Sequence, residues 1–496
     1  MEEWCEARFR MRERDTDLWR EVRAGTTMFL TMSYILLVNP HIMGRPYTGL
    51  EATDVVVGTA AASAFASFLV GWFANLPFGM APGLGLSAYL SFGMVKGSGL
   101  PWEGALTTSF ASGALIALLG ASNLADAVMR WIPTNIKVAT VIGMGLLISF
   151  IGMQSIGLVV AAGDDSLVKL GPMNNVNVWI SLGGLMLLAT LSHHRITGGV
   201  ALGIMLVTLV VWAMNGSWPS SFAQLPRESG PTWEYATRFG LLLGDLGSYV
   251  PGIGAFLMVG IFDVSGVMFG LAVLGGLDRE DADGNVVVPG SRWVFISAGL
   301  GTMLAALLGC SPIICQLESA AGIKEGGRTG LSAIVVSAWF TLSLFFAPLL
   351  GAIPQEATAP VVILIGASMM GQASEIDWTR MRVAVPAFLT LAMMPFSFSI
   401  PNGIAFGLGA DIILYLTCGS CFGLAKTDEE LSRHSSVLRA GTGAPVSASA
   451  VSYGATDRSP VYRPVKEEGG IFRSPSTEAF MRSPNLILRT AEYRNQ

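Results

Sequence analysis

The sequence predicts an all-α polytopic membrane protein of about fourteen transmembrane spans, arranged as a 7+7 inverted repeat. Three observations carry that prediction. Only 13% of the 496 residues are charged while 52% are hydrophobic, too few charges to cover a soluble globule of this size. Apolar runs of about 17–25 residues recur from Gly25 almost to Phe422, each long enough to cross roughly 30 Å of hydrocarbon as a helix. Two of those runs, at matching places in the two halves, are short and broken by Gly and Pro.

The elements follow in order. A charged segment, 1–23, comes first, with Arg8, Arg10, Arg12 and Arg14 among acids; no short apolar core precedes it, so a cleaved signal peptide is not expected. The first repeat, 24–214, holds runs near 25–43, 54–74, 78–95, 102–121, 136–154, 176–192 and 196–214, bounded by charges or by Pro and Gly. A polar loop and lead-in containing Trp218 and Tyr235 fills 215–250 and is expected to be extracellular. The second repeat, 251–422, holds runs near 251–275, 292–309, 311–323, 329–350, 356–371, 383–398 and 402–422. From 423 to 496 Ser, Thr, Pro and mixed charges replace the apolar runs, a composition that predicts a disordered cytoplasmic tail. Arg458-Ser459-Pro460, Arg473-Ser474-Pro475 and Arg482-Ser483-Pro484 recur there and suit either proline-directed phosphorylation or plain filler.

Loop charges test this layout independently, because cytoplasmic loops collect Lys and Arg. With the N-terminus inside, the inner loops hold Arg130, Lys137, Arg195, Arg279, Arg292, Lys324, Arg328, Arg380 and Arg382. The outer loops hold only Arg45, Lys96, Lys169, Arg227 and Arg238, so both termini are expected in the cytoplasm. The net charge of -5 is spread over loops and tails and identifies no partner. Many of the 59 glycines sit inside apolar runs, where small residues let helices approach closely or free the backbone to line a cavity. Cys310, Cys315, Cys418 and Cys421 lie in apolar runs, and the Cys418/Cys421 pair has no partner pair or His nearby, so neither a disulfide framework nor a metal is expected.

The two broken runs are Gly79-Met-Ala-Pro82-Gly83-Leu-Gly85-Leu-Ser87 and Gly309-Cys-Ser-Pro312-Ile-Ile-Cys-Gln-Leu-Glu318, each the third of its set. Gly followed three residues later by Pro is poor material for a full spanning helix, and such pairs point to a transport site. An odd number of spans per half inverts the second half, a geometry suited to alternating access. Asp263 and Glu318 lie inside apolar stretches with no neighbouring base. A carboxylate there costs roughly 2.5–3.5 kcal/mol on insertion scales, so it should face a cavity or hold a proton, unless it caps a broken helix. Ionised, it accepts hydrogen bonds from a flat N–H-rich ligand; protonated, it is neutral and suits proton coupling. Ser87 and Ser319 suit a ligand donor or a half-helix cap equally, and Phe78 and Phe262 suit stacking on a planar ligand or packing. Half-helix N-termini near Gly83 and Ile313 would offer free N–H groups. His193 and His194, before Arg195, read as a solvated inner turn, and His41 as interfacial.

Specific segments resemble the AzgA-like hypoxanthine, adenine and guanine permeases of the nucleobase–cation symporter group. Gly25-Thr-Thr-Met-Phe-Leu-Thr-Met-Ser-Tyr-Ile35 through Asn39-Pro40 is similar to the family's first span, and Ala74-Asn-Leu-Pro-Phe-Gly-Met-Ala-Pro-Gly-Leu-Gly-Leu-Ser-Ala-Tyr89 to its third. Glu318-Ser-Ala-Ala-Gly322, Gly326-Gly-Arg-Thr-Gly330, Phe346-Ala-Pro348, Ala359-Pro360 and Pro386-Ala-Phe-Leu-Thr390 through Gly403-Ile-Ala-Phe406 continue the likeness in order. It covers nearly the whole membrane portion and leaves out the tail. The resemblance implies a uracil-permease-like fold, in which a core domain of spans one to four and eight to eleven rocks against a gate domain. It implies that Glu318 binds the purine and that Asp263 is the second acid of a span-eight Asp-x-x-Asp pattern. Two positions depart: the family's Asn in the third span is Ser87 here, and the first acid of that pattern is Gly260. Asn offers a donor and an acceptor, whereas Ser offers one shorter hydroxyl.

The resulting expectation is a secondary-active, proton-coupled importer of purine nucleobases in the plasma membrane, with no cofactor and a homodimer as candidate assembly. Substrate contacts are expected at Glu318, Asp263, Ser87, Ser319, Phe262 and Phe78, proton coupling at Glu318 and Asp263, and backbone breaks at Gly79, Pro82, Gly83, Gly85 and Pro312. The alternatives are a carrier of another small substrate or an anion, motivated by Ser87 and Gly260, and a non-transporting sensor or scaffold. No P-loop, zinc-ligand spacing or nucleophile elbow supports an enzyme.

Overall fold

The computed structural model describes residues 6, 8–44, 48–122, 133–161, 168–194, 196, 198–216, 218–219, 246–280 and 286–418. The chain divides into two units, Met1–Ala425 and Lys426–Gln496, and every described residue falls in the first. Most of the expected outer loop, the tail with its Arg-Ser-Pro repeats, Arg195 and Cys421 lie outside the described residues.

The described chain is mostly helical, and the expected spans reappear with shifted ends. Asp17 caps α1 (Leu18–Met32) by accepting from the Arg20 amide at 2.9 Å, so the helix starts ahead of its apolar run. Ser33 turns its hydroxyl back onto the Leu30 carbonyl at 3.0 Å, and the helix resumes beyond it as α2 (Tyr34–Met43). Then come α3 (Ala52–Leu69), continued by a wider turn over Val70–Ala74, and the third run, which splits into β1 (Met80–Pro82) and α4 (Leu84–Ala88). The first half closes with α5 (Trp102–Ala121), α6 (Thr134–Ser155), a ribbon of β2 (Val159–Ala161) with β3 (Val168–Leu170), α7 (Val176–His193) and α8 (Gly199–Asn215).

The second half opens with α9 (Leu246–Gly275), a ribbon of β4 (Arg279–Glu280) with β5 (Val286–Val287), and α10 (Ser291–Leu307). Its broken run becomes β6 (Ile313–Cys315) and α11 (Ser319–Lys324). Five helices complete it: α12 (Gly330–Ser343), α13 (Ala347–Gly351), α14 (Gln355–Met369), α15 (Met381–Ser397) and α16 (Ile400–Cys418). Among the described residues, 8 helices are long and apolar enough to cross a membrane, and α8, α10 and α15 are shorter apolar helices. That count is lower than about fourteen because the first run is interrupted at Ser33 and both third runs trade helix for strand. Trp179 and Met186 of α7, Leu202 and Leu209 of α8, and Ile413 and Leu416 of α16 are exposed, as side chains facing lipid must be.

Two sets of helices pack mainly within themselves. In one, α5 lies on α10 and α9, α3 on α10 and α12, α1 on α12 and α11, and α9 also touches β6. In the other, α6 packs on α14 and α15, α15 on α16, and α7 on α14 and α8. Glycine permits close crossings in each. A Cβ on Gly113 of α5 would meet the Gly299 carbonyl of α10 at 2.9 Å, and one on Gly145 of α6 would meet the Gly366 carbonyl of α14 at 3.0 Å.

The N-terminal segment is more than a run of charge. Phe9 and Met11 are buried with Leu18, Trp72, Leu331 and Ile334. Arg14 donates to the carbonyls of Asn75 at 2.6 Å and Arg328 at 2.8 Å, and burial pushes its guanidinium below the usual range while nearby Glu21 opposes the shift. Asn75 adopts a left-handed conformation, φ 51°, which aims its amide oxygen at the Gly330 N–H, 2.8 Å away. Arg14 with Arg328, and Arg23 with Glu325, tie the N-terminal segment to the loop expected on the same side of the membrane.

Candidate functional site

The two broken runs meet at their strands. β1 and β6 pair antiparallel, with Met80 opposite Cys315, Ala81 opposite Ile314 and Pro82 opposite Ile313. Backbone freed by Gly and Pro inside a membrane needs partners within the protein, and this ladder supplies them. Gly83 N–H to the Pro312 carbonyl at 3.1 Å and Gln316 N–H to the Gly79 carbonyl at 3.0 Å extend it at both ends.

A second layer of hydroxyls repeats in both halves. Ser67 of α3 accepts from the Met80 N–H at 3.0 Å and donates to the Met80 carbonyl at 3.2 Å. Thr302 of α10 does the same for Ile313, at 3.0 Å and 3.3 Å. Each clamps the first residue of its strand, so Met80 corresponds to Ile313. Pro82 is the last residue of β1 whereas Pro312 stands just ahead of β6, so the two prolines sit at opposite ends of their strands.

Glu318 stands between β6 and α11, partly buried. The hydroxyl of Tyr34, the first residue of α2, donates to its Oε1, and the Thr31 hydroxyl lies 3.3 Å from its backbone carbonyl. Leu317 beside it is 60% exposed, so this turn borders open space. Asp263 lies on α9, which packs against β6 and α11; it is partly exposed and has no hydrogen-bond partner among the described residues. Glu318 is thus held by a phenol, while Asp263 on its own helix has no hydrogen-bond partner among the described residues.

The other expected contacts are placed differently. Ser319 is fully buried and its Oγ accepts from the Gly79 N–H at 2.9 Å, tying one broken run to the other. Ser87 is fully buried too, donating to the Gly83 carbonyl at 3.1 Å and sharing a 2.6 Å contact with the Ser311 hydroxyl. Phe78 lies in the main core, and Phe262 packs with Ile136, Met258 and Leu408. In this conformation these four residues hold structure, because their polar atoms are already engaged or their rings already covered. At the expected half-helix starts, the Gly83 N–H bonds the Pro312 carbonyl, and Ile313, which begins a strand and not a helix, bonds Thr302. A Cβ on Gly85 would meet Met144 at 3.2 Å, so this glycine admits α6. At Gly260 a Cβ would meet the tip of the Ile116 side chain of α5 at 2.8 Å, so the absent acid would need that tip to shift.

Sequence reasoning missed Tyr34 and Gln316. Tyr34 stood inside the quoted first-span segment, and a phenol in an apolar run alongside a lone acid elsewhere was the available signal. Gln316 donates to the carbonyls of Ala81 at 2.8 Å and Pro82 at 3.1 Å, closing the strand pair. His193 and His194 end α7 in exposed positions, as expected of a turn. His41 lines a cavity of about 20 Å³ between α2, α6 and α14, with Phe92, Ile151 and Gln355.

Residues 20–406 match the model of a family described as the permease family. The chain is 32% identical over 412 residues to the adenine permease AdeP of Escherichia coli, covering 83% of this chain and 90% of the relative. It is 35% identical over 406 residues to the guanine/hypoxanthine permease PbuO of Bacillus subtilis, covering 80% and 92%. To PbuG of the same organism, also a guanine/hypoxanthine permease, it is 33% identical over 433 residues, covering 84% and 94%. Among solved structures, the transmembrane domain of a cyanobacterial bicarbonate transporter, BicA, is similar in fold, with a TM-score of 0.60 at 15% identity over 79% of this chain and 97% of that one. The murine anion transporter Slc26a9 in its inward-facing state gives 0.54 at 11% identity, covering 81% and 68%.

Proposed function

The chain belongs to the permease family, and from that premise we propose that it carries purine nucleobases across the membrane by proton symport. It is an integral multi-pass membrane protein and not an enzyme. The observation that carries the reading is Glu318: a carboxylate at the meeting point of two broken runs, beside exposed Leu317 and a helix bearing unpartnered Asp263, in a chain similar to adenine and guanine/hypoxanthine permeases. A carboxylate oxygen accepts from the N–H edge of a purine, and protonation neutralises the acid for its return.

The 7+7 inverted repeat belongs to the same proposal. The antiparallel β1–β6 pair and the matching Ser67 and Thr302 clamps are what a pseudo-twofold axis in the membrane plane produces. The two helix sets then correspond to core and gate, rocking to expose the site to each side in turn. The domain limits 24–214 and 251–422, the cytoplasmic termini and the plasma membrane are part of this reading. The joining of Arg14 to Arg328 and of Arg23 to Glu325 supports its orientation.

The test is uptake of radiolabelled hypoxanthine, adenine and guanine by cells lacking their own purine carriers, at two external pH values, with the intact chain and Glu318→Gln. Saturable uptake that rises at acid pH and falls at least tenfold in the variant is expected. A second reading, carriage of another small substrate or an anion, is favoured by Ser87 and Gly260. Surface expression without uptake of any of the three bases would select it.

A further inference from the structure

Tyr34 and Thr31 flank the joint between α1 and α2, and both approach the same residue of the opposite half. The Tyr34 hydroxyl donates to Glu318 Oε1, and the Thr31 hydroxyl, which has nearer acceptors in the Met28 and Thr27 carbonyls at 2.8 Å and 3.0 Å, lies 3.3 Å from the Glu318 carbonyl. Ser33, at the joint itself, bonds back to the Leu30 carbonyl at 3.0 Å, and Tyr34 follows it as the first residue of α2. No other side chain among the described residues bonds that carboxylate. Tyr34 is 5% exposed, so its hydroxyl has been taken from water for this one partner.

A carboxylate's terminal torsion is broad and roughly two-fold, so a free Glu318 would rotate its acceptors through many directions. A donor fixed on Oε1, with the residue's own backbone amide beside the carboxylate, ends that rotation and holds the group in one orientation, which lowers the ordering cost of binding. We propose that Tyr34 is the positioning residue for Glu318: it holds one carboxylate oxygen so that the other is presented to the N–H edge of the substrate. The assignment rests on the purine reading only for the identity of the cargo. It links the first span to substrate affinity, although Tyr34 itself is not required to touch the substrate.

Two measurements on the full chain separate this proposal from that reading. In the first, purified protein in detergent is treated with dicyclohexylcarbodiimide, and addition to the Glu318 carboxyl is quantified by peptide mass spectrometry. Tyr34→Phe, which removes one oxygen and keeps the ring, should increase labelling several-fold by uncovering Oε1. Thr31→Val should move labelling in the same direction by loosening the residue at its backbone. In the second, Tyr34→Phe should raise the KM for purine uptake about tenfold while leaving Vmax, corrected for surface protein, within about twofold. A merely structural role would lower surface protein and leave KM and labelling unchanged, and that result overturns the proposal. If the intact chain moves no purine, the cargo assignment fails, and the labelling experiment still decides whether Tyr34 positions Glu318.

Discussion

Glu21 has no exposed surface, yet its carboxylate accepts from the amides of Arg328 at 2.9 Å, Thr329 at 3.0 Å and Ser332 at 3.2 Å, and from the Ser332 hydroxyl at 2.5 Å. It satisfies the first turn of α12, where an acid also meets the positive end of the helix. Glu21→Ala should therefore lower stability by about 2–4 kcal/mol, read as an earlier thermal unfolding transition in detergent. Gly260 poses a different constraint, since a Cβ there would meet the tip of the Ile116 side chain at 2.8 Å and that tip would have to shift. Gly260→Asp alone should reduce folded yield, and Ile116→Ala added to it should restore yield. Equal yields with and without Ile116→Ala would show that α5 does not exclude the acid.

Among elements, the strand pair matters most, because each strand hangs on one hydroxyl of a neighbouring helix. Ser67→Ala and Thr302→Val each strip a buried amide and a buried carbonyl of their partner. Each should cost about 1–3 kcal/mol, and similar losses from the two are expected if the halves are equivalent. Unequal losses, one near zero, would argue against that equivalence. The strands also bear on how far the candidate residues were legible in the sequence. Glu318 was legible because an acid in an apolar run has few structural uses. Ser87 and Ser319 were ambiguous in sequence, and their Ser311 and Gly79 partners become visible only when two segments more than two hundred positions apart are brought together.

For the whole molecule, the division into two helix sets is the feature on which the proposed transport cycle rests. Removing 423–496 should leave purine uptake within about twofold of the intact chain if the tail carries no part of the site, as its composition suggests. Loss of uptake at normal surface level would instead give the tail a role in the transport cycle. The small cavity at His41 lies where the two sets meet, between α2 and α14, so it should change volume as they move.

Composition and hydropathy by themselves determined the membrane class, the positions of nearly all the helices and the two broken runs, because lipid forces each of these locally. The solvent requires long apolar stretches, and backbone polarity requires that any break be special. Tertiary structure alone decided the register between the halves, the docking of 8–17 against α3 and α12, and the partner of Glu318. Those depend on which distant segments touch, and neither hydropathy nor the spacing of Gly and Pro records that. The phenol of Tyr34 reaches Glu318 where Ser33 interrupts one helix and Ile313–Cys315 interrupts another, a coincidence in space between residues far apart in sequence.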